Sequence, residues 1–215
     1  PASVWGPMAL APRTDGQFSL RQNLRQAKQL LADAGWTVQN GVLKNAKGQV
    51  FSLEYLDSSE SSIRVISPWM RNLEKLGVQL QFRSVDFSLY QQRLQKFDFD
   101  ITSIAYGGTH NPGQEYVEMF GSKAADIEDS SNLSGIKNPA IDALLNQMTS
   151  ASSLEELKPI CRVLDRSVAH LHLMVPQWFG NSHRMAYNAQ RLTFNPTVPP
   201  YISGEGWVIE NWWSK

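Results

Sequence analysis

The chain has little with which to cross-link itself, hold a metal or attract a polyanion, and each shortage narrows its function. A single cysteine, Cys161, closes no internal disulfide; it falls in an apolar helical stretch, where a small buried thiol is the natural reading. Twenty basic and twenty acidic side chains cancel. The long-range field that steers proteins onto phosphate backbones is therefore missing, and nucleic acid is not an expected partner. No run of about eighteen apolar residues exists, so no segment is expected to span a bilayer. The opening PASVWGPMALAP has no basic stretch leading into an apolar core, so it carries no expected export signal. Its prolines and tryptophan suit an irregular crossing peptide, and the chain is expected to be a piece of a longer protein.

Catalytic signatures are scarce too. His170 and His172 stand two apart and face different directions on a helix, where metal pairs need spacings of three or four. Neither G-x-S-x-G nor GxGxxG nor a phosphate loop occurs. Asp98 and Asp100 share one strand face and read as its solvated side rather than a working carboxylate pair. No cofactor or metal is expected. A hydrolase acting on peptides or glycosides stands second to a binding protein, and an interaction domain using the tail tryptophans Trp207, Trp212 and Trp213 stands third.

What the chain does have is 215 residues at 42% hydrophobic content, enough for a real core. Its most informative stretch is FDFDITSIAYGGTHNP, residues 97–112. Phe97, Phe99, Ile101 and Ser103 alternate with Asp98, Asp100, Thr102 and Ile104 as a strand, which Gly107, Gly108, His110, Asn111 and Pro112 then end. A loop at the carboxyl end of a sheet strand is where open α/β sheets hold ligands. Glycine-exposed backbone, the Tyr106 ring and uncharged polar groups from Thr109 to Asn111 suit binding rather than bond-breaking.

The surrounding elements alternate. Ser19 and Gln22 form a capping box, with Leu24, Ala27, Leu30, Leu31 and Ala34 as the apolar stripe and Gly35 as the stop. Asn40-Gly41 and the turn group from Asn45 to Gly48 make Trp36 to Gln39, Val42 to Lys44 and Val50 to Leu56 short antiparallel strands. A helix with Ile63, Ile66, Met70, Leu73 and Leu76 on one face follows, with Pro68 as a kink or first turn. Then come strand Val78 to Val85, helix Phe87 to Lys96 and strand Phe99 to Ile104. The order predicts crossovers packed on one sheet, an α/β fold. Beyond the loop, Asn138 and Pro139 open one helix and Leu154 to His172 forms another. Val175 to Phe179 and His183 to Tyr187 read as strands.

The segments RQAKQLLADAGW, NGVLKNAKGQVFSLEYL, SPWMRNLEKLGVQLQFRSVD, YQQRLQKFDFDI and NLSGIKNPAIDALL resemble the family 5 extracellular solute-binding proteins of ABC importers, and in particular their YejA-like branch, associated with peptides and microcin C. The resemblance implies a type II periplasmic-binding-protein fold with a mixed sheet and two lobes joined by a hinge. Residues 1–187 would be the carboxyl-terminal ligand-binding lobe, and 188–215 a tail returning toward the first lobe. It further implies a monomeric, noncatalytic, periplasmic receptor that passes an oligopeptide or peptide-like ligand to membrane permease subunits. Many oligopeptide-binding members carry an acidic residue, which pairs with the ligand's amino group, where this chain has Gly108. Recognition of a free amine would then need another partner, such as Glu115.

The expected ligand-facing residues are Ala105, Tyr106, Gly107, Gly108, Thr109, His110 and Asn111, joined by Asn132 and Ser134 in a polar loop, by Trp178 and Phe179 before a Gly-Asn turn, and by Arg184 as a carboxylate clamp. Arg83 is a second candidate clamp. A receptor of this kind encloses its ligand between two lobes, so the lone lobe should bind far more weakly than the full-length protein; calorimetry on both checks this, and equal affinities would contradict it.

Overall fold

The computed structural model describes residues 12–14, 19–106, 112–177, 186–195, 197, 208 and 211–215. Helix α1, Leu20–Asp33, begins as the sequence requires: the Ser19 hydroxyl accepts from Gln22 N–H while the Gln22 side chain accepts from Ser19 N–H. Leu24, Ala27 and Leu31 then pack on a core of Leu43, Leu76 and Val78, joined by Trp36 and Phe51, whose rings meet edge-on at 4.6 Å. Leu30, expected in the stripe, is 61% exposed. It lies about 100° around the helix from Leu31 and so turns away from that core.

Strands β1, Thr37–Gln39, and β2, Val42–Lys44, form the expected hairpin. Asn40 at φ 50° and Gly41 at φ 81° supply the two left-handed residues that such a tight turn needs. The third antiparallel strand expected here is not formed. A lone antiparallel bridge joins Lys44 to Val50, after which β3, Ser52–Asp57, leaves the hairpin and becomes the centre of a parallel sheet. The reason lies in its burial: consecutive Tyr55 and Leu56 are both buried, so both faces of the strand are covered, as in parallel sheets with crossover helices.

Those crossovers are α2, Ile63–Glu74, which runs through Pro68, and α3, Phe87–Gln95, capped by Asp86. They deliver β4, Gln79–Ser84, and β5, Ile101–Thr102, to opposite sides of β3 in the order β4-β3-β5. The expected strand Phe99 to Ile104 is thus only two residues long. At its start, Phe97 is left-handed at φ 55° and Asp98 N–H caps the preceding helix through Arg93 O at 2.8 Å. At its end, the Asp57 carbonyl is taken by Val85 N–H at 3.0 Å and the Ser103 carbonyl by the Tyr90 hydroxyl at 3.2 Å.

A second core lies outside the sheet. Helix α4, Gln114–Phe120, precedes α5, Pro139–Ser150, with its Asn138 cap and first-turn proline, and α6, Leu154–Ala169. Ile136, Ile141, Leu145, Met148 and Leu164 are its buried centre. Cys161 packs half-buried at its margin, and burial pushes its thiol pKa up, as expected of a structural cysteine. The strand expected from Val175 is missing over its described part: residues 173–177 are unpaired and Val175 is 80% exposed. Of the strand expected at His183 to Tyr187, residues 183–185 lie outside the described part, and Ala186 and Tyr187 are not in a strand. In the tail, β6, Leu192–Phe194, pairs antiparallel with β7, Trp212–Ser214, and Phe194 stacks on Trp212 while Tyr187 meets both rings edge-on.

One glycine fastens the hairpin to the sheet. Gly77 has φ +78°, its carbonyl accepts from Leu43 N–H at 2.8 Å, and an added Cβ would stand 2.7 Å from that same nitrogen. Gly48 has nearly the same φ, +77°, with nothing within 4 Å. Gly48→Ala should cost only the added backbone strain, about 1–2 kcal/mol of stability, and Gly77→Ala clearly more. Urea unfolding of the two variants measures the difference.

Candidate functional site

Because β3, β4 and β5 run parallel, their carboxyl ends meet along one edge. Two of the three exits are closed by their own side chains: Asp57 Oδ1 accepts from Ser59 N–H at 2.8 Å, and Asp86 Oδ1 from Leu89 N–H at 3.0 Å. The third has no such closure among the described residues. After Thr102 the chain continues as Ser103, Ile104, Ala105 and Tyr106 in no regular element, with Ile104 and Ala105 exposed and Tyr106 38% exposed.

A polar network holds the root of this segment. The Tyr55 hydroxyl is hydrogen-bonded to Ser103 Oγ, which also accepts from Gln177 Nε2 at 3.3 Å. Tyr90 donates to the Ser103 carbonyl and meets Thr102 Oγ1 at 3.1 Å, while Thr102 Oγ1 donates to the Leu56 carbonyl at 3.0 Å. Farther out, the Tyr106 hydroxyl reaches the Ser131 carbonyl at 3.5 Å. Burial pushes the pKa of both Tyr55 and Tyr106 up, so both phenols keep their protons and remain donors at neutral pH. Ser103, Tyr55, Tyr90 and Gln177 were not among the expected site residues. The available signal was a pair of tyrosines at otherwise apolar positions, since a buried phenol requires a partner.

Of the expected residues, Ala105 and Tyr106 stand on this edge. Gly107, Gly108, Thr109, His110, Asn111, Trp178, Phe179 and Arg184 lie outside the described residues. Ser134 is half-buried in its loop. Asn132 is 0% exposed: Nδ2 donates to the carbonyls of Gly121 and Ile136, both at 3.0 Å, and Oδ1 accepts from Ile136 N–H at 2.9 Å. Its amide therefore fastens the loop ahead of α5 and has no surface to turn toward a ligand. Sequence reasoning took a polar side chain in a polar loop as outward-facing, whereas the backbone groups of that loop needed a partner.

The charged candidates are engaged elsewhere. Arg93 Nη2 meets Glu54 Oε1 at 2.7 Å and its Nε meets Asp98 Oδ2 at 2.8 Å, while Asp100 Oδ2 accepts from Glu54 N–H at 2.8 Å. Asp98 and Asp100 thus tie elements together. Arg83 Nε lies 3.8 Å from Glu54 Oε2. Glu115 accepts from Gly113 N–H at 3.1 Å at the start of α4. Among the described residues no group of three His, Cys, Asp or Glu is placed to hold a metal ion, and no helix is long and apolar enough to cross a membrane. A groove of about 480 Å³ opens between Pro112 to Gln114 and the α5–α6 junction, but neither Ala105 nor Tyr106 lines it.

Replacing Asn132 with Ala strands buried backbone groups and should cost about 3 kcal/mol. Thermal unfolding checks the cost, and titration of the remaining folded full-length protein should show unchanged ligand affinity.

Residues 2–127 match the family model for bacterial extracellular solute-binding proteins, family 5, middle. The probable peptide-binding protein YejA of Agrobacterium fabrum is 37% identical over 195 residues, which cover 90% of this chain and 31% of that protein. The chain therefore spans about a third of the length of the curated relatives it matches. Among solved structures, the mannohexaose-bound periplasmic oligopeptide-binding protein of Thermotoga maritima aligns with a TM-score of 0.63 at 20% identity, over 81% of this chain and 34% of that one. The oligopeptide-binding protein AppA of Bacillus subtilis, in complex with a nonapeptide, aligns with a TM-score of 0.60 at 22% identity, over 69% and 30%. At these identities the two structures establish a shared fold, the α/β architecture expected from the alternating elements.

Proposed function

This chain belongs to the family 5 bacterial extracellular solute-binding proteins, and from that footing we propose that it forms one lobe of a two-lobed periplasmic receptor. The receptor captures an oligopeptide or peptide-like ligand at the carboxyl edge of the sheet and delivers it to the permease subunits of an ABC importer. The observation that carries this reading is the open exit of β5. Among the described residues it is one of the two edge strands of its sheet, and from Ser103 to Tyr106 its continuation runs on without a regular partner. An extended peptide can lie along such a segment, exchanging main-chain hydrogen bonds while its side chains find separate pockets. The Tyr55–Ser103–Tyr90 network keeps the segment's root in place, so less ordering accompanies binding.

The ligand class rests on the sequence relative. The same fold holds a nonapeptide in one solved protein and mannohexaose in another, so architecture alone does not choose between peptide and sugar. In this reading Gly107 to Asn111, Ser134, Trp178, Phe179 and Arg184 contribute to ligand recognition, and the protein captures and releases its ligand without chemistry.

The deciding experiment is native mass spectrometry of the full-length protein purified without denaturation, followed by calorimetry. A retained peptide, bound about tenfold or more weakly after Tyr106→Ala, is the expected result. A retained oligosaccharide with no peptide affinity would overturn the ligand class. Since Gly108 supplies no carboxylate, acetylating the ligand's amino terminus should change affinity by less than about tenfold, where a charge-assisted anchor would lose more.

A further inference from the structure

A second groove, of about 510 Å³, lies on α1 and carries an unbalanced charge. Leu20, Leu24 and Leu76 give it an apolar floor, and Arg21, Arg25, Lys28 and Lys75 surround them. No acidic residue is among the described residues that line it. The first three cations fall within about 60° of one helix face and span about 10 Å of its length. None of the four has a salt bridge among the described residues; Lys75 Nζ donates to Asn72 Oδ1 at 3.0 Å and remains exposed. In a chain whose charges sum to zero, four cations without an anion in one concavity are a local excess.

Stability does not account for this arrangement. Arg21 sits in the first turn of α1, where the helix dipole favours acidic side chains, and that turn holds none. The groove is also remote from the ligand edge. Leu76 and Lys75 precede β4, and Phe51, which packs on the same core as Leu76, precedes β3, so the groove flanks the amino ends of the strands. The candidate ligand edge is at their carboxyl ends, roughly a strand length of 17–20 Å away.

We propose that this groove docks an acidic, partly apolar segment of a partner protein, its carboxylates meeting Arg21, Arg25, Lys28 and Lys75 and its aliphatic side chains covering Leu20, Leu24 and Leu76. Charge complementarity sets the sign of the partner. The leucine floor selects a protein over a nucleic acid backbone, and binding to anionic vesicles is the outcome that would reverse the choice of a protein over a membrane. The inference stands whether or not the ligand reading above is correct.

The test uses the full-length protein and a fluorescein-labelled probe of about a dozen alternating Glu and Leu residues, blocked at both ends, with a Gln and Leu peptide as control. Fluorescence anisotropy at low salt should show binding of the acidic probe only, weakening as salt rises. Arg25→Glu with Lys28→Glu should weaken it about tenfold or more, with Arg25→Gln intermediate and the melting temperature unchanged. The proposal is overturned if the acidic probe does not bind, if the double variant binds it as the wild type does, or if Tyr106→Ala abolishes the binding instead. It is equally overturned if the wild type sediments with phosphatidylglycerol vesicles while failing to prefer the acidic probe.

Discussion

Parallel pairing on both sides of β3 is the constraint from which the rest of this structure follows. Ser52 to Asp57 run beside Gln79 to Ser84 on one flank, and Tyr55 and Leu56 beside Ile101 and Thr102 on the other. A parallel ladder requires each neighbour to arrive by a crossover, so α2 and α3 must cover the sheet, and the covered strand can bury Tyr55 and Leu56 in succession. The same geometry gives the sheet two unlike ends. Strand exits, and with them the open segment from Ser103 to Tyr106, gather at one; the hairpin and the cationic groove of α1 gather at the other.

The exposed segment depends on polar groups set inside a mostly apolar structure. Tyr55 rises from β3 and Tyr90 from α3, so the two hydroxyls that grip Ser103 report the positions of two separate elements. Arg93 does the same in charged form. Its side chain is 17% exposed and spans Glu54 of β3 and Asp98 ahead of β5, so the end of α3 is tied to the central strand and to the approach of β5. Removing one member of such a network leaves the others buried without partners, which makes networks of this kind specify an arrangement more than they add net stability.

The second core, around Ile136, Ile141, Leu145, Met148 and Leu164, is built differently. It is held by helix packing and by one amide, Asn132, which takes up the backbone groups of Gly121 and Ile136 that no helix or strand could satisfy. Tyr106 reaches across to Ser131 in the same loop, so the open segment touches the helical core as well as the sheet. The candidate ligand edge therefore sits between the sheet and the helical core.

Local chemistry made much of this legible in advance. Capping boxes, Asn-Gly turns and helix-stopping glycines act over three or four residues, so the start of α1, the hairpin and the Asn138 cap are written in the chain itself. So are the charge balance, the missing catalytic motifs and the family resemblance. Partner choice is not local. Nothing in Val50 to Leu56 says that its neighbours are β4 and β5 rather than β2, nothing in the alternation after Phe97 says that pairing ends at Thr102, and nothing in Asn132 says that it faces inward. Those outcomes belong to tertiary structure because each hydrogen-bonding group is satisfied by residues far away in sequence, and only the folded chain brings them within reach.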